Sequence, residues 1–201
     1  MFFRNEDFPL TSALEDAFPR VKAEFEALAP GRFAPWPDEG LYDGKWNQFP
    51  FWIPGKRFDD NCKKCPETVR ILASALPNCT MASLAMLEPK AHIKPHCGFS
   101  HAILRAHLAL RIPEGECWLR VADEKRPWKE GKAFVFDDMS EHEAYNGTNN
   151  MRIVLMLDFP RPWHFRTSVI GHIRQRWSLK RQMLTHWARV DNVHKANDNQ
   201  D

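Results

Sequence analysis

Among nine histidines, two stand in contexts suited to holding a metal. His96 follows Pro95 and begins His96-Cys97-Gly98 at the end of a short extended run. His142 closes Asp137-Asp138-Met139-Ser140-Glu141-His142, just after another such run. Two imidazoles from separate strands plus one carboxylate form the facial set that holds non-haem iron(II) in oxygenases. The carboxylate of that set is expected two residues after the first histidine, a position that Gly98 occupies here. The set is therefore one ligand short, and a pair of histidines alone also reads as structural.

The surrounding pattern adds polar groups with a shared direction. Leu104-Arg105-Ala106-His107-Leu108-Ala109-Leu110 alternates, so Arg105 and His107 lie on one face of a strand and the leucines on the other. An arginine and a histidine projecting together suit a buried carboxylate, which needs a charge-assisted donor fork. Arg152 opens the apolar run Arg152-Ile-Val-Leu-Met-Leu-Asp-Phe and could anchor the distal carboxylate of 2-oxoglutarate. Either arginine alone is compatible with a surface salt bridge; the combination is what argues for a site.

These groups need strands to carry them. From Met81 onward, short apolar runs alternate with turn residues. The expected strands are Met81–Leu87, His92–Pro95, Leu104–Ile112, Cys117–Val121, Ala133–Asp137 and Arg152–Phe159. Strands at this spacing without intervening helices indicate an antiparallel sandwich or barrel. Upstream, Leu14, Phe18, Val21, Phe25 and Leu28 recur at helical spacing, with Pro19 as a point of kinking. An irregular Pro-, Gly- and Trp-rich stretch follows, with a short strand at Gln48–Ile53. Pro66 then opens a helix running to Leu76. Past residue 162 the spacing of Ile170, Ile173, Trp177 and Leu184 is helical again. The fold class is α+β, mainly β. Helical segments at 1–80 and 163–194 flank a β core at about 81–162, and a polar tail follows at 195–201, all in one domain.

Composition excludes several classes. A net charge of +2 argues against nucleic acid, and no apolar run approaches the length of a membrane span. The N-terminus carries charge where a signal peptide needs an apolar stretch, so a cytoplasmic protein is expected. Five cysteines, an odd number, read as reduced thiols. Cys62-Lys-Lys-Cys65 has the spacing of half a zinc site or a redox pair. Without a second such pair, it reads as two unpaired thiols in a turn before a helix.

The run His96-Cys-Gly-Phe-Ser-His-Ala-Ile-Leu-Arg105-Ala-His107-Leu-Ala-Leu resembles the aspartyl/asparaginyl β-hydroxylase family. So do Trp128-Lys-Glu-Gly-Lys, Phe136-Asp-Asp-Met-Ser-Glu-His142-Glu and Arg152, and, upstream, Lys45-Trp-Asn-Gln-Phe-Pro-Phe-Trp and Cys65-Pro-Glu-Thr-Val-Arg-Ile-Leu. The resemblance implies a double-stranded β-helix (jelly-roll, cupin-like) core. It also implies iron(II) held by His96 and His142, with water in place of the triad carboxylate, and 2-oxoglutarate and O2 as cosubstrates. Arg152 matches the arginine for the distal carboxylate of 2-oxoglutarate, and His107 a histidine near the cosubstrate and substrate carboxylates. Arg105 matches the arginine that grips the substrate side chain, and Asp138 an acid that orients the metal-bound water. Ala85 falls where a serine would help hold 2-oxoglutarate, leaving Ser83 on the same strand face as the candidate replacement. Ile103 replaces a second substrate arginine.

The implied reaction is oxidative decarboxylation of 2-oxoglutarate coupled to hydroxylation of an unactivated carbon. That carbon is expected to be the β-carbon of an aspartyl, asparaginyl or related amino acid, free, peptidyl or carrier-bound. Three alternatives stand beside it: a fatty-acyl hydroxylase of the same family, a non-catalytic β-sandwich binding module, and a zinc hydrolase. The last lacks a third protein ligand. For a lipid or carrier substrate, the basic stretch from Arg174 to Arg181 would be the contact; otherwise it is a solvated helix face.

Overall fold

The computed structural model describes residues 1–29 and 31–162. The expected C-terminal helix, its basic stretch and the polar tail lie outside them. Three helices precede the main run of strands: α1 (Leu10–Glu26), α2 (Asp59–Lys64) and α3 (Pro66–Ala75). Leu10, Leu14, Ala17, Val21 and Phe25 form the buried stripe of α1. Pro19 sits within this helix without ending it, on its exposed side. Pro66 occupies the first turn of α3, where a missing N–H costs nothing.

Twelve strands follow the chain: β1 (Ala34–Pro35), β2 (Tyr42–Asp43), β3 (Trp46–Ile53), β4 (Lys56–Arg57), β5 (Met81–Leu87) and β6 (His92–His96), then β7 (Ile103–Arg111), β8 (Cys117–Val121), β9 (Glu124–Pro127), β10 (Ala133–Phe136), β11 (His142–Asn146) and β12 (Arg152–Pro160). They form two antiparallel sheets. The larger runs β1-β3-β5-β12-β7-β10, with β4 on β3, and the smaller runs β2-β6-β11-β8-β9. This is the jelly-roll core expected from the sequence.

The larger sheet has two unlike faces. Leu84, Leu104, Leu108, Leu110, Ile153, Leu155 and Leu157 pack with Leu14, Val21, Phe25 and Leu72 of the helices into one core. The other face meets the smaller sheet, where Ala85, Leu87, Val154 and Met156 join Ile93, Leu119, Val121 and Ala144. Period-two alternation along β7 and β12 assigns each residue to one face or the other.

The β core begins earlier than residue 81. Strand β3 is an interior strand between β1 and β5, so the short strand expected at Gln48–Ile53 starts at Trp46 and belongs to the main sheet. Pro50 lies inside it: proline cannot donate to a ladder, and here it stands at a register shift, where the ladder tolerates the loss. Strands β9 and β11 escaped the pattern. The first is charged up to its closing Pro127, and the buried face of the second is His142, Ala144 and Asn146 rather than an apolar row.

Cys62 and Cys65 are buried in the helix-side core, and all five cysteines are free thiols. Burial raises the Cys65 thiol to about 12, so it does not ionise near neutrality. Cys62 lies within α2 and Cys65 at the junction between α2 and α3, so the pair stands in a helix and at its end rather than in a turn.

Candidate metal centre and carboxylate pocket

Strands β6 and β11 pair with His142 directly opposite His96, which brings the two rings to 4.1 Å between centroids. In each ring Nδ1 faces a backbone carbonyl, that of Lys94 at 2.7 Å for His96 and that of Ser140 at 2.9 Å for His142. A carbonyl only accepts, so Nδ1 carries the proton and the Nε2 lone pair remains for a metal. Burial lowers both imidazoles from their ordinary value. His142, also facing His96 and Arg105, drops to about 3. Both are therefore neutral near pH 7, the state that ligates.

Among the described residues no set of three His, Cys, Asp or Glu donors converges as a metal site, so a metal at this place would have only the two imidazoles as protein donors. The space beside Gly98 explains how that is compatible with a site. A Cβ built on Gly98 would lie 1.7 Å from Asp138 Oδ2. The Asp138 carboxylate thus fills the room that a side chain at position 98 would need. Its Oδ1 stands 3.4 Å from His142 Nε2. The backbone fixes this arrangement, with Gly98 N–H donating to the Asp138 carbonyl at 2.7 Å. Asp138 is fully buried, and neither carboxylate oxygen accepts an aligned hydrogen bond. Arg105 Nη1 lies 2.7 Å from Oδ1, but as an ion pair off the N–H axis. A buried carboxylate with free acceptor positions beside two imidazole lone pairs suits a cation and its water.

Arg105 itself is committed. Its Nε and Nη2 donate to the two oxygens of Asp158 at 2.6 and 2.8 Å, across the β7–β12 register that sets the two residues opposite each other. Burial would lower the guanidinium, but Asp138 and Asp158 outweigh it, so the cation is held more firmly than in water. Burial raises the Asp158 carboxyl from its ordinary value, and the Arg105 fork opposes that rise.

Arg152 is the contrast. It is buried and makes only a 3.4 Å contact to the Ala85 carbonyl, and its Nε has no partner. Its guanidinium stacks 4.4 Å over Trp128, and among the described residues no carboxylate pairs with it. Burial lowers it from its ordinary value to about 10, which leaves it cationic at neutral pH. Trp128 also donates its indole N–H to His107 Nδ1 at 3.3 Å. The proton of neutral His107 therefore sits on Nε2, which is buried and unpartnered. Burial, then Arg152 and Arg105, keep this imidazole well below its ordinary value.

His96, His142, Arg105, His107 and Arg152 line one pocket, together with Trp46, Ala85 and apolar residues of the smaller sheet. Asp138 stands behind its histidine end, against His142. Ser83 does not reach the pocket: its hydroxyl donates to the Leu84 carbonyl, and Ala85 takes the lining position instead. Three contributors were not foreseen. Asp158 ends an otherwise apolar strand. Trp128 carried no assigned role. Gln48, fully buried opposite Ala85, leaves both amide atoms without partners. An amide in an aromatic strand, next to Asn47, was the available signal.

Residues 15–162 match the family model described as aspartyl/asparaginyl beta-hydroxylase. The human protein named aspartyl/asparaginyl beta-hydroxylase is 34% identical over 164 residues, covering 77% of this chain and 21% of that protein. An ornithine lipid ester-linked acyl 2-hydroxylase from Rhizobium tropici is 33% identical over 165 residues, covering 77% of this chain and 58% of its own length. The mouse hydroxylase is 36% identical over 141 residues, and this chain spans 18% of it. This chain therefore spans about a fifth of the two mammalian relatives. Among solved structures, an oxidoreductase of the 2OG-Fe(II) oxygenase family from Burkholderia pseudomallei superposes with a TM-score of 0.51. The match covers 72% of this chain and 78% of that one at 12% identity, a likeness of fold.

Proposed function

The chain belongs to the aspartyl/asparaginyl β-hydroxylase family, and from that premise we propose that it is an iron(II)- and 2-oxoglutarate-dependent hydroxylase acting as one catalytic domain. The observation that carries the proposal is Arg152. A buried guanidinium without a counter-ion is costly unless an anion arrives, and the unpartnered Nε2–H of His107 lies in the same pocket. A small dicarboxylate fits, with one end on Arg152 and the other toward the histidine pair.

His96 and His142 would hold the iron through Nε2, and Asp138 would accept a hydrogen bond from its water. When bound, the iron and 2-oxoglutarate supply the oxidising chemistry, consuming O2 and releasing succinate and carbon dioxide as a C–H becomes C–OH. The protein's own residues do the rest. Trp128 fixes the His107 tautomer and flattens against Arg152, so both donors are oriented before the cosubstrate binds. Asp158 and Asp138 clamp Arg105 between them, which makes it a support for the water-orienting carboxylate rather than an open substrate grip. Phe136, edge-on to both His107 and His142, keeps bulk water from the space between them.

The family name points to an aspartyl or asparaginyl side chain as substrate. The second reading, an acyl chain, is favoured by the commitment of Arg105 and by the similarity to the ornithine lipid acyl hydroxylase. No described helix is long and apolar enough to cross a membrane, and the free thiols fit the reducing cytoplasm.

Calorimetry under nitrogen tests the proposal. With iron(II) present, wild type is expected to bind 2-oxoglutarate, and Arg152→Met to bind it about 10–100-fold more weakly, the worth of charged hydrogen bonds. Equal binding by both proteins would refute the assignment.

A further inference from the structure

Charge in the pocket is already balanced before any substrate enters. Arg105 is held by Asp158 at 2.6 Å and Asp138 at 2.7 Å, so one cation faces two anions and the group carries a net negative charge beside the metal end. Nδ1 of His96 and of His142 donates to a backbone carbonyl, leaving Nε2 for the metal under the reading above, and His107 accepts from Trp128, so no imidazole adds a charge. Arg152 is the one lining cation without an acidic partner among the described residues. Under the reading above, the far carboxylate of 2-oxoglutarate takes Arg152. The near carboxylate and the Arg105 group together match the two charges of the ferrous ion.

Among the described residues nothing ionic is left over. The remaining lining is Trp46, Ala85, Ile93, Leu119, Phe136, Ala144 and Met156, all without charge. Ile103, on the Arg105 side of β7, adds none. Outside the pocket, on β6, Lys94 is paired with Asp43 at 2.9 Å and His92 with Glu143 at 2.8 Å. A charged group carried into such a site loses its hydration and gains no counter-charge, whereas a neutral group of the same shape loses little.

We infer that the protein selects a substrate whose reacting segment carries no charge, an acyl chain or an amide-bearing side chain in place of a free carboxylate. The inference rests on the iron and 2-oxoglutarate reading and narrows its substrate. Asp158 is the residue that sets the selection. By occupying the Nε and Nη2 fork of Arg105, it removes the donors that a substrate carboxylate would use.

The test uses the full chain loaded with iron(II) and 2-oxoglutarate under nitrogen, with matched probes differing only in charge. One pair is a blocked peptide carrying asparagine and the same peptide carrying aspartate. The other is methyl dodecanoate and dodecanoate. Binding is read by tryptophan fluorescence, since Trp46 lines the pocket, and turnover by succinate formed above the substrate-free background after air is admitted. The neutral member is expected to be preferred at least about tenfold in each pair that binds. The pair that stimulates succinate tells the amide source from the acyl source.

A carboxylate probe that binds as tightly as its neutral twin overturns the inference. Loss of iron-dependent 2-oxoglutarate binding in the same preparation would instead remove the reading beneath it. Asp158→Asn, checked for folding by circular dichroism, takes away one negative charge at nearly constant shape and frees half of the fork. The neutral-over-anionic ratio is expected to shrink several-fold in this variant, and an unchanged ratio in the folded protein refutes the role given to Asp158.

Discussion

The two faces of the larger sheet are built from the same strands and solve different problems. Toward the helices, β7 and β12 present leucines and Ile153 to an apolar core; toward the smaller sheet, they present Arg105, His107, Arg152 and Asp158. The helix-side face lowers free energy by removing apolar surface from water. The pocket face spends part of that stability on desolvated charge, most of it at Arg152. One residue of register separates the two, so a slip in pairing would exchange core and site.

Four measurements can break or sharpen this contrast. His142→Ala should cut succinate formation from 2-oxoglutarate by at least about 100-fold, beyond the 10–100-fold carried by residues that only support a ligand. Its thermal midpoint should stay near wild type or rise; a collapse of the fold instead would place His142 on the structural side. Leu155→Ala, one face away, should cost about 2–5 kcal/mol in urea unfolding. Succinate formation per folded molecule should persist, and a parallel loss of chemistry would mean the faces are not separable.

The third is Arg152→Met in the apo protein. Replacing an unpaired buried cation by an apolar side chain of similar length should leave the unfolding free energy unchanged or raise it, even as cosubstrate binding falls. A clear loss of stability would show that the arginine is structurally compensated.

The smallest effect is in pH. His142 has an ordinary value of 6.5 and is lowered to about 3 by burial and by its neighbours His96 and Arg105. The unfolded chain therefore takes up the proton first. Stability is complete above 6.5 and is lost as pH falls from 6.5 toward 3. Apo-protein unfolding between pH 7 and 5 should show this fall. His142→Gln should flatten it by up to about 1.4 kcal/mol per pH unit, one proton's share. Identical slopes would mean that His142 is solvated in the apo state.

How much of this was legible in the sequence follows from range. Arg105 and His107 announce a common face because alternation is local, and His96 and His142 are conspicuous where each stands at a strand end. Asp158 was invisible as a partner of Arg105 because that pairing depends on the β7–β12 register, fixed only when distant strands meet. Ser83 was chosen for its chemistry and strand face, and neither reveals that its hydroxyl turns back to its own backbone. The strand at Gln48–Ile53 was legible, but its place between β1 and β5 in the main sheet was not, because that too depends on pairing between distant segments.

The fit between Gly98 and Asp138 bears on how such a centre can change by descent or by engineering. Because one carboxylate already occupies the volume beside position 98, a third protein ligand cannot simply be added there. Gly98→Asp would meet Asp138 head-on, and Asp138→Ala alone would leave that space empty. The two arrangements are mutually exclusive occupants of one space. Under the proposed reading, passage from a two-histidine to a three-ligand site here takes two coordinated changes, because each single change overfills or empties the space beside the histidine pair.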